Sequence, residues 1–431
     1  MKTILSTLLL FTVSNLSAQT IWRVGYLHPK GASYSTANCT TSTVQGGKAI
    51  LNSTSSPTLW KGSEASFKGL GRPPYYSSGE VFAVNGIHQF GFRNVGGQEL
   101  ATAWKSDSRS RIDYPPGLDQ AQRSVIRAAK GGVTAGAVWY LNGNGESSAV
   151  IWPRANYFLN RNPPGATQSA IYAMTGFELL AGSARFDSPS RAMLWVGANP
   201  TFVVVHPVGA NSSEILATTG AQHAGYTETE GIRHAALWNG NTPESVVDLH
   251  PPDLGESVLT GISRAVQVGY VDSPFPAVRH ARLWRGSATS FVDLHAYLRP
   301  GYTSSSATGV WADKSRIFVS GNAYNSYTNR TEAILWKWDP EASPVLNLSG
   351  SRLRTITGPN YALRGGATDI NGNLKGVEVK VAGGKYQRAR GTEKWSFNLR
   401  GVPTGLTRVF IRAVDKAGKT SRPVLITIRR R

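Results

Sequence analysis

The sequence is poor in cysteine and in charged residues. Only one of its 431 residues is a cysteine, Cys39, and 17% are Asp, Glu, Lys or Arg. A single cysteine excludes an internal disulfide framework and a cysteine-rich zinc or iron–sulfur site. The scarcity of charge, together with 46 glycines and 12 tryptophans, argues against long solvent-facing helices and favours many short strands joined by turns. The hydrophobic content of 40% is still enough to fill a core.

Long apolar runs are scarce as well, and the one that stands out is at the N-terminus. A basic start at Lys2 is followed by a largely apolar run over residues 4–13 and by small and polar residues up to Ala18. This pattern is typical of a secretory signal peptide, which we place at residues 1–18. The run is too short to span a bilayer. We therefore expect an exported protein, secreted or associated with the cell surface, without a transmembrane segment and without intracellular nucleic acid as a partner.

One phrase recurs along the chain, in which small or apolar residues lead into a tryptophan. The seven tryptophans of this phrase are Trp60, Trp104, Trp152, Trp195, Trp238, Trp284 and Trp336. Each repeat of roughly 45 residues has the content of about four short strands, as in one blade of a β-propeller. A unit this small must stack on its neighbours to bury its faces, and a mid-strand tryptophan suits that packing. The pattern predicts a seven-bladed β-propeller at residues 19–349.

Two segments compete for the strand that would close such a ring. Residues 22–28 resemble the last strand of a repeat, and residues 345–348 resemble it too. The sequence does not decide between them, so an eight-bladed ring and an open arc stay as alternatives.

The pattern changes after about residue 350. Val377, Val379 and Val381 alternate with polar residues, and so do Trp395 and Phe397. Period-two alternation over seven short strands predicts a second all-β domain, an immunoglobulin-like β-sandwich at residues 350–431. This segment holds 18 Lys and Arg against 4 Asp and Glu, so it carries most of the chain's net charge of +20.

Strand alternation places several of these basic side chains on an outward face. We single out Lys394, Arg408, Phe410 and Arg412 as a ligand-binding face, because cations beside an aromatic ring attract and dock an anionic polymer. The expected partner is an acidic extracellular glycan or another cell-surface polymer. A merely solvated surface, and a face that packs on the first domain, are the alternatives.

Catalytic patterns are few. There is no phosphate-binding loop, no dinucleotide fingerprint, no HExxH and no G-x-S-x-G. Asp248 with His250, and Asp293 with His295, have a spacing that could hold a metal, but their recurrence in successive repeats favours a copied structural strand. Glycosidases need paired carboxylates. The candidates in or near loops are Asp187, Glu214, Glu228, Asp272, Asp313 and Glu332.

The repeats resemble the HAF-type extracellular repeat of bacterial exported proteins. The resemblance rests on the phrases His234-Ala-Ala-Leu-Trp238 and His280-Ala-Arg-Leu-Trp284 and on the Gly261 to Tyr270 segment between them. The C-terminal segment, with its Asp415-Lys-Ala-Gly418 turn, resembles bacterial Ig-like modules. The resemblance implies an exported, propeller-like protein without an established activity and provides no catalytic residues.

These features predict a non-catalytic binding or cell-surface interaction protein that takes acidic polysaccharide. The alternative is a propeller-type glycan-cleaving enzyme, a hydrolase or lyase with an accessory Ig-like domain, and a third possibility is a rigid spacer. We expect no cofactor, no metal site and a monomer.

Overall fold

The computed structural model describes residues 22–71, 78–106, 110–114, 121–140, 146–187, 189–252, 254–274, 278–339, 343–348, 350–369 and 374–431. The predicted signal peptide at residues 1–18 lies outside them. The all-β prediction is confirmed, because these residues form 37 strands and only three short 3-10 turns, at Glu64–Ser66, Pro243–Ser245 and His295–Tyr297. They divide into two compact units, residues 22–338 and the residues from 339 onward. No helix in these ranges is long and apolar enough to cross a membrane.

The first unit is built of seven groups of four antiparallel strands, here numbered sheets I to VII along the chain, and a single parallel pair, Glu99 with Arg123, joins sheets II and III. A first strand, β1 (Arg23–Tyr26), precedes them. Sheet I contains β2 (Ala32–Thr40), β3 (Gln45–Leu51), β4 (Thr54–Trp60) and β5 (Lys68–Gly69). Sheet II contains β6 (Gly79–Asn85), β7 (His88–Val95), β8 (Gln98–Trp104) and β9 (Ile112–Tyr114). Sheet III contains β10 (Ala121–Lys130), β11 (Val133–Tyr140), β12 (Ser147–Arg154) and β13 (Tyr157–Asn160).

The remaining four sheets follow the same order of strands. Sheet IV contains β14 (Gln168–Gly176), β15 (Leu179–Arg185), β16 (Arg191–Val196) and β17 (Thr201–Val204). Sheet V contains β18 (Ser212–Thr218), β19 (His223–Thr229), β20 (Ile232–Trp238) and β21 (Val246–Asp248). Sheet VI contains β22 (Ser257–Ser263), β23 (Val266–Asp272), β24 (Arg279–Trp284) and β25 (Val292–Asp293). Sheet VII contains β26 (Tyr302–Ala312), β27 (Ile317–Asn325) and β28 (Arg330–Trp338).

The fourth strand of sheet VII comes from the start of the chain. Strand β1 pairs antiparallel with β28, with Val24 opposite Trp336. Each sheet packs on the next, and β2 of sheet I packs on β27 and β28 of sheet VII, so the seven sheets form a closed ring. The competing segment, β29 (Val345–Asn347), pairs instead with a strand of the second unit. The two units therefore divide after Trp338, eleven residues before the predicted boundary at 349.

The seven tryptophans of the recurring phrase lie between the sheets. Each ends or lies near the end of a third strand and is at most 1% exposed. Trp238 of sheet V packs against Ala181 and Leu194 of sheet IV, and its indole N–H donates to the Val205 carbonyl at 2.9 Å. Because these large apolar rings fill the space between neighbouring sheets, they hold the ring together.

A buried hydrogen bond also joins successive sheets. In six of the seven junctions, a serine hydroxyl at the start of an innermost strand accepts the backbone N–H of the alanine that opens the recurring phrase, at 2.8 to 3.0 Å. The junction between sheets I and II differs, because Pro57 has no N–H and Gly79 has no hydroxyl. A side chain at Gly79 would also approach the Pro57 ring and the Phe92 carbonyl too closely.

The second unit contains two sheets around one core. The first sheet has the order β29, β31 (Tyr361–Thr368), β35 (Lys394–Leu399) and β34 (Arg390–Gly391). The second has the order β30 (Leu353–Ile356), β37 (Val424–Arg430), β36 (Gly405–Asp415), β32 (Leu374–Val381) and β33 (Gln387–Arg388). Trp395 from the first sheet shares a buried cluster with Val379 and Ile411 from the second.

Candidate functional site

The innermost strands of all seven sheets line one open cavity of about 250 Å³. Each of β2, β6, β10, β14, β18, β22 and β26 contributes three consecutive residues to its wall. The cavity therefore lies at the centre of the ring, where a ligand would contact every sheet.

A β-bulge in every innermost strand shapes this wall. In each sheet the pairing register between the first and second strands skips one residue, and that residue lines the cavity. A bulge re-aims the side chain of the extra residue. The seven bulge residues are Asn38, Phe82, Arg127, Tyr172, Leu216, Thr260 and Thr308.

A glycine in the second strand makes each bulge possible. A Cβ at these glycines would lie only 1.8 to 2.1 Å from a carbonyl oxygen of the facing innermost strand. No other residue fits that approach without moving the strand. The seven glycines are Gly47, Gly91, Gly136, Gly182, Gly225, Gly269 and Gly321.

On one side of the cavity the bulge residues are polar and tied to the wall. The Thr260 hydroxyl donates to the Ala307 carbonyl at 2.8 Å, and the Asn38 amide donates to the Val81 carbonyl at 2.9 Å. Thr308 makes the equivalent bond to the next sheet. These side chains link sheets VI, VII, I and II through their innermost strands, and their hydrogen-bond donors already have acceptors within the protein.

The other side carries larger side chains and a cation. The Arg127 guanidinium lies over the Phe82 ring, 4.0 Å from its centroid. Burial lowers the pKa of Arg127, and it raises the pKa of Tyr172 to about 12, so the phenol is neutral near pH 7. Burial also raises the pKa of Glu214, whose carboxyl lies in a smaller pocket beside Tyr172.

Cys39 lies in the cavity wall next to Asn38. Burial raises the pKa of its thiol to about 12. The thiol is therefore protonated at neutral pH, and a protonated thiol is a weak nucleophile.

Most of the sequence-predicted carboxylates have an ion-pair or hydrogen-bond partner within the protein. Asp272 is paired with Arg279, and Asp313 is paired with Arg316. Glu228 accepts a hydrogen bond from Ser212, and Glu332 accepts them from Tyr302 and Thr328. Asp187 is exposed. Of the six, Glu214 is the one that lies beside the cavity, because its pocket shares Tyr172 with it.

The two predicted Asp–His pairs form matching hydrogen-bonded clusters in sheets V and VI. His234 stacks on His250 at 4.0 Å, while Asp248 accepts a hydrogen bond at 2.8 Å from His234 and another from the His250 backbone N–H. His280, His295 and Asp293 repeat this arrangement. Within the described ranges no group of three or more His, Cys, Asp or Glu side chains has the geometry of a metal site.

The second histidine of each cluster is hydrogen-bonded to the serine whose hydroxyl joins two successive sheets. His206 is in the same position in sheet IV and makes the pattern clear. Its Nε2 faces the Ala210 carbonyl at 3.1 Å, so that nitrogen donates, and Nδ1 then accepts from the Ser213 hydroxyl at 2.7 Å. Asn162 of the preceding junction makes the same two bonds with its amide.

The predicted basic face divides between the two sheets of the second unit. Arg408, Phe410 and Arg412 lie on β36, with Arg408 exposed and the other two half-buried. Lys394 is exposed on β35 of the other sheet, so the structure does not bring it together with them. Arg412 is paired with Glu378 at 2.8 Å and lies 3.9 Å from the centroid of the Tyr386 ring. Lys380 lies over both Tyr386 and Phe410.

Sequence reasoning missed the bulge residues. A signal for them exists, because each bulge residue follows three positions after a recurring Ser or, in sheet II, after Gly79. The amino-acid type at the bulge varies from sheet to sheet, so a search for repeated residues passes over it.

No protein-family model and no curated protein matches the sequence. Among solved structures, the chain is similar to a prolyl endopeptidase, with 10% identity and a TM-score of 0.47, over 90% of this chain and 55% of that one. It is similar to a fungal alcohol oxidase of the AA5 family in complex with copper, with 9% identity and a TM-score of 0.37, over 95% of this chain and 99% of that one. It is also similar to the extracellular domain of a putative one-component system from B. thetaiotaomicron, with 9% identity and a TM-score of 0.30, over 87% of this chain and 60% of that one. The chain spans about half the length of the prolyl endopeptidase, and TM-scores below 0.5 do not establish a shared fold.

Proposed function

We propose that the first unit is a seven-bladed β-propeller of the HAF-repeat type and that the second is an Ig-like module. The proposal is supported by the ring of sheets I to VII with four strands each, by the tryptophan between each pair of sheets and by the two sheets that enclose the core of the second unit. It further holds that residues 1–18 export the protein, so that it acts in the extracellular space or at the cell surface.

The function that we propose is non-catalytic binding of an acidic polysaccharide. The observation that carries it is the cluster of Lys380 and Arg412 against the rings of Phe410 and Tyr386, with the exposed Arg408 two residues before Phe410 on the same strand. Aromatic rings offer an apolar surface for the faces of sugar rings, and guanidinium groups pair with carboxylate or sulfate groups. Arg408 has no ion pair within the described part of the chain, so its charge is available to a ligand.

The test is retention of the full-length mature protein on polygalacturonate and on neutral dextran, at low and at raised salt. We expect retention on polygalacturonate alone and a loss of retention in raised salt, because exposed charges are screened. Arg408→Gln should weaken binding about five-fold, the effect of roughly 1 kcal/mol for an exposed ion pair.

Lys394→Gln is the matched control, since it removes one exposed charge from the other sheet. An equal weakening by both variants would show that binding follows net charge, and the assignment to this face would then be wrong. Equal retention on dextran would contradict the proposal that the ligand is acidic.

The alternative is a propeller-type enzyme that cleaves glycans. Its supporting observation is Glu214, a carboxyl whose pKa is raised by burial beside the central cavity, as a general acid requires. Release of reducing ends from the same polysaccharides, followed in parallel and lost in Glu214→Gln, would replace the binding proposal with this one.

A further inference from the structure

The charge of Arg127 has no carboxylate partner in the part of the ring that the structure describes. Its guanidinium lies on the Phe82 ring, and it forms no ion pair within 4.0 Å there. Its buried Nε–H has no hydrogen-bond partner among the residues that the structure describes. A buried cation without a partner is unfavourable unless something outside the fold satisfies it.

The ring places a carboxylate directly beside two other bulge residues, whereas Glu80 and Glu99 act on the charge of Arg127 only from beyond ion-pair distance. Glu80 of sheet II accepts a hydrogen bond from Asn38 at 2.7 Å, and Glu214 of sheet V lies beside Tyr172. Arg127 belongs to sheet III, and the equivalent position in the next sheet, sheet IV, is occupied by Ala170. The side chain that would neutralise Arg127 in the pattern of its neighbours is therefore an alanine.

The cavity around this cation suits a small organic anion. Arg127 is the one charged side chain among the residues that line the cavity in the described ranges. The volume of about 250 Å³ equals the liquid volume of about eight water molecules. Phe82 holds one face of the guanidinium, which leaves the N–H groups in its plane for a ligand, and a planar fork of N–H groups matches a carboxylate in two-point contact.

We infer that the central cavity is a binding site for a small carboxylate, the size of a single acidic sugar. Arg127 pairs with the carboxylate, and the rings of Phe82 and Tyr172 lie on either side of this pair. The hydroxyls and the amide on the opposite wall already bond to backbone carbonyls, so recognition depends on the anionic group of the ligand. This inference concerns the first unit alone and does not rest on the function proposed above.

The experiment measures binding of D-glucuronate, D-glucose and inorganic sulfate to the full-length mature protein by calorimetry. Glucuronate and glucose differ at one carbon, which is a carboxylate in the first and an alcohol in the second. We expect saturable binding of glucuronate with a 1:1 ratio, no binding of glucose, and at least ten-fold weaker binding of sulfate.

Arg127→Gln should weaken glucuronate binding at least ten-fold, and Arg127→Lys should weaken it by a smaller factor, because lysine keeps the charge but not the fork. Thermal unfolding without ligand checks the fold, and Arg127→Gln should unfold at the same temperature as the wild type or higher. Arg154→Gln, at an exposed arginine of sheet III that does not line the cavity, is the control that leaves glucuronate binding unchanged.

Three results would overturn the inference: no binding of glucuronate to the wild type, equal binding of glucuronate to Arg127→Gln, or equal affinities for sulfate and glucuronate. Loss of polysaccharide binding in Arg408→Gln with glucuronate binding intact would separate this site from the basic face of the second unit.

Discussion

Within each sheet of the ring, the second and third strands each have a position whose residue is the same in every sheet, whereas the bulge residue of the innermost strand varies from sheet to sheet. The second strand has a glycine and the third a buried tryptophan in all seven sheets. The bulge of the innermost strand carries six different residue types in seven sheets. The glycine and tryptophan face another strand or sheet, so only one side chain fits. The bulge residue faces the cavity, where many side chains fit, and the chemistry of the centre can change without change in the ring.

The junction of sheets I and II shows how strict the repeated positions are. Pro57 there removes the N–H that the serine hydroxyl accepts elsewhere, and Gly79 in place of the serine removes the hydroxyl as well. A serine at position 79 would be left without its usual donor and would also crowd the Pro57 ring. The two departures from the pattern are thus complementary.

The largest expected effect comes from the tryptophan. Trp238→Ala should lower the free energy of unfolding by about 4 kcal/mol, because it leaves a cavity between sheets IV and V and also removes the indole hydrogen bond to Val205. Urea unfolding followed by circular dichroism measures it. Trp311→Ala is the control, since this tryptophan is only half-buried on an innermost strand. Equal losses for the two variants would contradict the role of the repeated tryptophan.

The glycine of the second strand should come next. Gly225→Ala places a Cβ 1.9 Å from the Glu214 carbonyl oxygen and should cost about 3 kcal/mol through displacement of the bulge. Gly69→Ala is the matched control in an outer strand, where the nearest atom would be 3.4 Å away. The same unfolding experiment serves both, and a Gly225→Ala protein as stable as the control would show that the bulge does not need glycine.

A bulge residue should matter much less. Leu216→Thr introduces the residue that sheets VI and VII have at this position and should change the free energy of unfolding by less than about 1 kcal/mol. In the variant the hydroxyl can donate to the Leu259 carbonyl, as Thr260 does to Ala307. A loss as large as that of Gly225→Ala would remove the contrast between repeated and variable positions.

The smallest effect concerns pH. Burial lowers the pKa of His206 below its ordinary value of 6.5. Since the unfolded chain then binds more protons than the folded one, the stability that His206 contributes is complete above pH 6.5 and is lost as pH falls through the folded pKa. His206→Asn copies Asn162 of the preceding junction, so it should match the wild type at pH 8 and lose less stability between pH 7 and pH 5. Unfolding temperatures measured along this range check the slope, and parallel curves for the two proteins would contradict the assignment.

Much of the ring was predictable from the sequence, because its tryptophans recur at a nearly constant interval. In the second unit the predicted alternation over Val377, Val379 and Val381 is observed in β32, and that over Trp395 and Phe397 in β35. The site was predicted less well. Lys394 has the same alternation as Arg408 and Arg412, and alternation reports which side of its own sheet a residue is on, not which sheet the strand joins.

The sequence by itself determined the all-β class, the number of tryptophan repeats and the concentration of basic charge after residue 350, because these depend on composition and on local periodicity. Only the tertiary structure decided that β1 rather than β29 is the fourth strand of sheet VII, since both segments suit an edge strand and the choice depends on pairing between distant residues. It also decided that Arg127 lines the central cavity, because the residues around it come from sheets distant in sequence and meet only when the ring is closed.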